Sequence, residues 1–185
     1  FAAKRFGRID LDQTAVLPHA WRSHALNTTY GTGSPPSQAK YYQTHNSQGF
    51  KYPRDVPKEK PARMVRIFAM GGSTLYGWGS EGLAQYGNHP HLANDETITF
   101  HLERLLAKRM EAVFPGRRLD VEVVNLGVPD YNSSMHLIYF NEVVYEYRPD
   151  LVLFVDGNNE MYGTKALNPL ADYHNSGVSV VDSFN

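Results

Sequence analysis

The sequence predicts an α/β fold, a parallel sheet with flanking helices, and three observations carry that prediction. Three apolar runs of strand length, beginning at Met64, Asp120 and Leu151, are separated by two stretches of helical period. Each run empties into a small or polar loop: Gly71-Gly72-Ser73-Thr74, then Gly127, then Asp156-Gly157-Asn158-Asn159-Glu160. Buried parallel strands read as near-continuous apolar runs because helices cover both of their faces. Strand–helix–strand repeats at this spacing close by right-handed crossovers.

The elements follow in order. Residues 1–62 are rich in Tyr, Gln, Asn, His, Ser and Pro, with a turn cluster at Gly31-Thr32-Gly33-Ser34-Pro35-Pro36 and no sustained apolar period. They read as an extended N-terminal arm that wraps the core or engages a protein partner, with Tyr41, Tyr42, Phe50 and Tyr52 as its anchors. The α/β domain occupies 63–185. Its first strand runs from Met64 to Met70 and leads into a loop through Trp78, Gly79, Gly82, Gly87 and His89-Pro90-His91. A helix is expected from about Glu96 to Phe114, with Ile98, Leu102, Leu105, Leu106, Met110 and Val113 on one face. Asp95 is the expected N-cap, and Pro115-Gly116 ends the helix. After the strand Asp120 to Leu126, a second helix is expected over Ser133 to Tyr147, capped by Asn132 or Ser133 and closed by Arg148-Pro149. The third strand is Leu151 to Val155, and beyond 160 only Val178 to Val181 is strand-like. Three strands and two helices make a small core for an open sheet, so the fold is expected to be C-terminally incomplete at Asn185.

Composition narrows the chemistry. With 185 residues, 42% hydrophobic and 20% charged, the chain is long enough for one globular core. A net charge of -1 gives no electrostatic case for nucleic-acid or anionic-membrane binding. No apolar run approaches the roughly 18 residues of a membrane span. Cysteine is absent, which excludes disulfides, thiolate catalysis and cysteine-bound metals from these residues. The chain opens on Phe1 rather than Met, which raises the expectation of a leader or anchor segment.

In a parallel sheet the carboxyl ends of all strands share one edge, where open α/β folds hold their ligands. Ser73, Gly127 and Asn159 each follow such an end. Acyl transfer needs a hydroxyl nucleophile and donors aimed at the developing oxyanion. Ser73 supplies the hydroxyl, Gly127 a backbone N–H free of side-chain obstruction, and Asn159 a neutral amide donor. One such donor is worth about 2.7–4 kcal/mol in the transition state.

These residues stand in blocks that resemble the SGNH/GDSL hydrolase family. Gly71-Gly72-Ser73-Thr74 is similar to its serine block, Asn125-Leu126-Gly127-Val128-Pro129 to its glycine block, and Gly157-Asn158-Asn159-Glu160 to its asparagine block. Arg148-Pro149-Asp150-Leu151-Val152 resembles the family's approach to that last block. Asn46-Ser47-Gln48-Gly49-Phe50 resembles a lead-in of envelope-associated members. The resemblance implies a flavodoxin-like three-layer fold and a serine esterase that needs no metal or organic cofactor. It further implies acyl or O-acetyl ester substrates, those on envelope carbohydrates included, and an extracytoplasmic or cell-envelope location. The family's Asp-x-x-His block, source of the general base, is not found; Asp172-Tyr173-His174 has the wrong spacing. The alternative from another class is a non-catalytic SGNH-like scaffold or binding subunit, docked through the arm.

Other readings are weaker. Gly72 to Gly77 has the step of a phosphate loop, but Trp78 and Gly79 stand where its lysine and hydroxyl belong. His89 and His91 with Asp95 make a thin metal-ligand set, more at home as surface histidines. Tyr76, Trp78, Tyr131, Met161 and Tyr162 flank the three blocks, as pocket walls or as core.

Overall fold

The computed structural model describes residues 16–28, 43–78, 91–157 and 159–160. Strands β3 (Met64–Gly71), β4 (Asp120–Gly127) and β5 (Leu151–Val155) form a parallel sheet in the order β4-β3-β5. The first strand in sequence is therefore central. Its register pairs Gly71 with Gly127 on one side and with Val155 on the other, so all three strands end at one level. A single helical turn, α1 (Ser73–Tyr76), follows β3, and helices α2 (Ile98–Val113) and α3 (Ser133–Glu142) follow in the crossovers.

Alternation along the strands builds two cores. Phe68, Met70, Val124 and Leu126 point to the face covered by Met135 and Tyr139 of α3, with Val152 packed against it. Ile67, Val121 and Val123 point to the opposite face, where Leu102, Leu106 and Met110 of α2 meet Val65 and Leu153. Helices on both faces of the sheet make three layers, as the strand pattern requires. No helix among the described residues is long and apolar enough to cross a membrane.

Several boundaries differ from expectation. The cap of α2 is Thr97, whose hydroxyl accepts the Phe100 N–H at 3.3 Å, while Asp95 lies in a preceding 3-10 turn, Asn94–Glu96. Glu96 reaches back to the Ala93 N–H, so the acidic pair serves that turn rather than the helix proper. Helix α3 stops at Glu142, and Val144–Tyr147 continue as a 3-10 turn; its cap is Asn132, accepting from the Met135 N–H at 3.1 Å. Ile98, Leu105 and Val113 belong to the expected buried face of α2 but are exposed. That apolar stripe is wider than the described sheet beneath it. Glu103 of α2 accepts the Val123 N–H at 2.8 Å and the Tyr52 hydroxyl at 2.7 Å. It satisfies an edge-strand donor that β4 would otherwise leave open.

The described part of residues 1–62 lies against the core. A hairpin of β1 (Val16–His19) and β2 (Ser23–Leu26), not expected from the sequence, is pinned by Arg22. The Arg22 guanidinium stacks 4.2 Å over the Tyr139 ring and meets Glu142 at 2.8 Å. Phe50, Tyr52 and Val56 enter the same core cluster as β3 and β4. Tyr41 and Tyr42 lie outside the described residues, as do Val178–Val181 and His174.

At the opposite end of the sheet from the glycines, Arg66 and Glu122 form an ion pair with almost no exposure. Arg66 also donates to the Tyr147 carbonyl at 2.8 Å, while its backbone N–H and C=O bond Asp150. Removing one member of such a pair strands a buried charge, whereas removing both is far cheaper. Arg66→Met is expected to lower unfolding free energy by about 3–5 kcal/mol. The double variant Arg66→Met with Glu122→Leu should recover most of that loss, as read by chemical denaturation.

Candidate active site

The β3 strand ends on Gly71-Gly72, and the chain turns at once into α1, which opens on Ser73. As the first helical residue, Ser73 has no intrahelical acceptor for its N–H. The turn is closed behind it: the Gly77 and Trp78 N–H groups both donate to the Ser73 carbonyl at 2.9 Å. Gly77 sits at φ +86, the left-handed conformation that ends helices and favours glycine.

A cavity of about 190 Å³ lies where the strands end, lined by Gly72, Ser73, Thr74, Tyr131, Val155, Asp156, Gly157, Asn159 and Glu160. Two of the three residues singled out from sequence, Ser73 and Asn159, thus share one wall-to-wall space. The Asn159 amide donates to the Tyr131 carbonyl at 2.6 Å, which fixes its nitrogen beside Gly72. A Cβ at Gly72 would lie only 2.6 Å from that nitrogen, so glycine there permits the approach. An amide NH2 carries two hydrogens, and only one can be aimed at Tyr131.

Gly127 does something different from what its block suggested. It is the last residue of β4 and is not among the residues lining the cavity; its N–H donates to the Asn125 side-chain oxygen at 2.8 Å. A donor committed to its own strand neighbour is not aimed at an oxyanion. The requirement for glycine is steric: a Cβ at 127 would meet the Tyr76 backbone nitrogen at 2.4 Å and Leu75 at 2.9 Å. Asn125, passed over as a nucleus of chemistry, clamps the same contact, since its amide donates to the Leu75 carbonyl at 2.9 Å. An asparagine in a buried apolar strand was the available signal.

Glu160 holds the third loop. Its carboxylate accepts the Ser133 N–H at 2.7 Å and the Gly157 N–H at 2.9 Å, tying the loop of Asn159 to the start of α3. Burial works against its ionisation, but the backbone donors of its own residue, Ser133 and Gly157, with His136 nearby, hold its carboxyl below the usual range. Asp156 is held by His136, Nδ1 lying 2.9 and 3.0 Å from its two oxygens. Neither Asp156 nor His136 carried a sequence signal of its own.

Behind α1 lies a buried polar network. The Lys51 ammonium sits 4.0 Å over the Tyr76 ring, donates to the Leu92 carbonyl at 2.7 Å and lies 3.2 Å from His91 Nδ1. His45 Nε2 meets the Tyr76 hydroxyl at 2.9 Å and Nδ1 the Asn27 carbonyl at 2.7 Å. Burial pulls Lys51 down to about 7 against the attraction of Glu96, and pulls His45 down to about 4. His91, once weighed as a metal ligand, instead faces a lysine, and His89 lies outside the described residues. Among the described residues no group of three His, Asp or Glu is disposed to hold a metal.

Two outcomes are expected. Gly127→Ala should cost about 1–3 kcal/mol through overpacking against the α1 backbone, measured by thermal or urea unfolding. Between pH 7 and 10.5 the unfolded chain holds a Lys51 proton that the native state sheds, so stability should rise with pH there. Lys51→Met should flatten that slope by up to about 1.4 kcal/mol per pH unit. His45 acts with the same sign between pH 4 and 6.5, so its contribution is lost on acidification through that window.

No family model matches the chain, and no curated protein matches it. Among solved structures it is similar to LAE5, an alpha/beta hydrolase enzyme from the metagenome of Lake Arreo, Spain. The identity is 22% with a TM-score of 0.36, over 60% of this chain and 47% of that one. The chain therefore spans less than half the length of that structure. A likeness this loose assigns no residue a role.

Proposed function

We propose that this chain carries the nucleophile of a serine ester hydrolase of SGNH type, acting on acyl or O-acetyl esters through Ser73. The observation that carries the reading is that Ser73 and Asn159, remote in sequence, line one small cavity at the carboxyl edge of a parallel sheet. The Ser73 hydroxyl would attack the ester carbonyl. The oxyanion would be received by the Ser73 N–H and by the Asn159 hydrogen not given to Tyr131. Gly127 enters this scheme as support for α1 rather than as a donor. In the family that the blocks resemble, the proton acceptor for the serine is the histidine of an Asp-x-x-His block.

One observation favours the second reading, a non-catalytic scaffold docked through residues 1–62. His136, a buried imidazole, pairs with the cavity-lining Asp156 and not with Ser73. The two readings separate on Ser73→Ala in the native full-length polypeptide, assayed with p-nitrophenyl acetate and butyrate. For the hydrolase, kcat/KM should fall by about a thousand-fold or more. Asn159→Ala should lower kcat by roughly a hundred- to a thousand-fold. Turnover that is absent in the wild type, or equal in Ser73→Ala, favours the scaffold.

A further inference from the structure

Helix α1 is a single turn of four residues, too short to stand on its own propensity. Its orientation is imposed by what holds its far end, and that end is Tyr76, completely buried. The turn links Tyr76 rigidly to Ser73. The Tyr76 N–H bonds the Gly72 carbonyl at 3.1 Å, and the Gly77 and Trp78 N–H groups bond the Ser73 carbonyl.

Two residues of the N-terminal region grip that end, and neither is among those lining the cavity. The first is His45. A carbonyl can only accept, so Nδ1, 2.7 Å from the Asn27 oxygen, carries the imidazole hydrogen. Burial keeps the ring neutral, which leaves Nε2 to accept the Tyr76 hydroxyl at 2.9 Å.

The second is Lys51, which reaches three consecutive residues, 75 to 77. Its backbone N–H donates to the Asn125 carbonyl at 3.1 Å, and the Asn125 amide holds the Leu75 carbonyl. Its Nζ lies 4.0 Å over the Tyr76 ring. The same Nζ donates to the Leu92 carbonyl at 2.7 Å, and the Leu92 N–H donates to the Gly77 carbonyl at 2.9 Å. For stability alone a methionine would serve at 51, because burying an amine costs free energy that a thioether does not.

We infer that His45 and Lys51 are positioning residues for Ser73, fixing where it stands at the cavity by gripping Tyr76 and the α1 turn. Both act through the turn and neither meets substrate. The inference rests on the hydrolase reading for its catalytic meaning, while the state of the turn is measurable without turnover.

Tyr76→Phe removes the bond to His45, and Lys51→Met removes Nζ; each leaves the cavity lining intact. With p-nitrophenyl acetate and the native full-length polypeptide, each variant should lower kcat at least tenfold with KM within twofold of the parent. A misplaced nucleophile costs rate rather than binding. At neutral pH Lys51→Met should melt at or above the parent's temperature, so that its lost rate is not lost stability. Amide hydrogen exchange followed by NMR reads the turn directly. The Gly77 and Trp78 amides should exchange at least tenfold faster in both variants, while amides within β3 and β4 exchange as in the parent. Faster exchange at those two amides in a polypeptide without esterase activity still supports the grip on the Ser73 turn, and only the hydrolase reading falls. Unchanged exchange at Gly77 and Trp78 in either variant overturns the inference. So does faster exchange in an active enzyme whose kcat stays at the parent's value, or a loss carried by KM alone.

Discussion

The placement of Ser73 depends on one contact between bare backbones. The α1 turn rests on the end of β4 at a distance that leaves no room for a Cβ at Gly127. Gly71, paired with Gly127 in the register, is packed as closely, with a Cβ there falling 2.9 Å from both the Val155 carbonyl oxygen and the Leu75 side chain. Two glycines facing one another across the strand ends let a helical turn sit directly on the sheet edge. Asn125 then locks it, donating to the Leu75 carbonyl while accepting from Gly127. Close backbone approach, not conformational freedom, is the use of glycine at these two positions.

The underside of the same turn is polar where a core is normally apolar. Lys51, His45, His91 and Tyr76 meet beneath α1, and each has partners there. Burial keeps His45 neutral and pulls Lys51 towards neutrality, which reduces the charge the interior must hold. The network joins the segment around residue 51 and the loop at 91–92 to the turn that carries Ser73. The described part of the N-terminal region is in this way continuous with the site's support, through Lys51 on one side and Arg22 on the other. Arg22 reaches the Tyr131 hydroxyl at 3.4 Å, and the Tyr131 carbonyl in turn holds Asn159.

β3 and β4 were legible because burial on both faces forces continuous apolar runs, whereas the order β4-β3-β5 came only from the structure. Ser73 and Asn159 were legible because both stand at strand ends, which a parallel sheet must align. Caps were less so: Asp95 and Thr97 are both good capping residues, and the choice fell to the 3-10 turn that precedes the helix. The face of α2 was read from its period alone, which cannot tell how much sheet lies beneath, so Ile98, Leu105 and Val113 were assigned to a core they do not enter. Gly127 was read from its block as an oxyanion N–H donor, but that N–H donates to a neighbour two residues back.

By itself, then, the sequence determined an α/β chain with parallel strands and a serine and an asparagine at neighbouring strand ends. Those follow from periodicity and chirality, which are local properties of the polypeptide. Only the tertiary structure decided which polar groups were already spent. The Gly127 N–H, both Glu160 oxygens and one Asn159 hydrogen are taken by residues that packing brings near. It likewise joined His136 to Asp156 at the cavity wall, a pair of groups from two different elements. Hydrogen-bond satisfaction is a property of the folded neighbourhood, and no spacing along the chain encodes it.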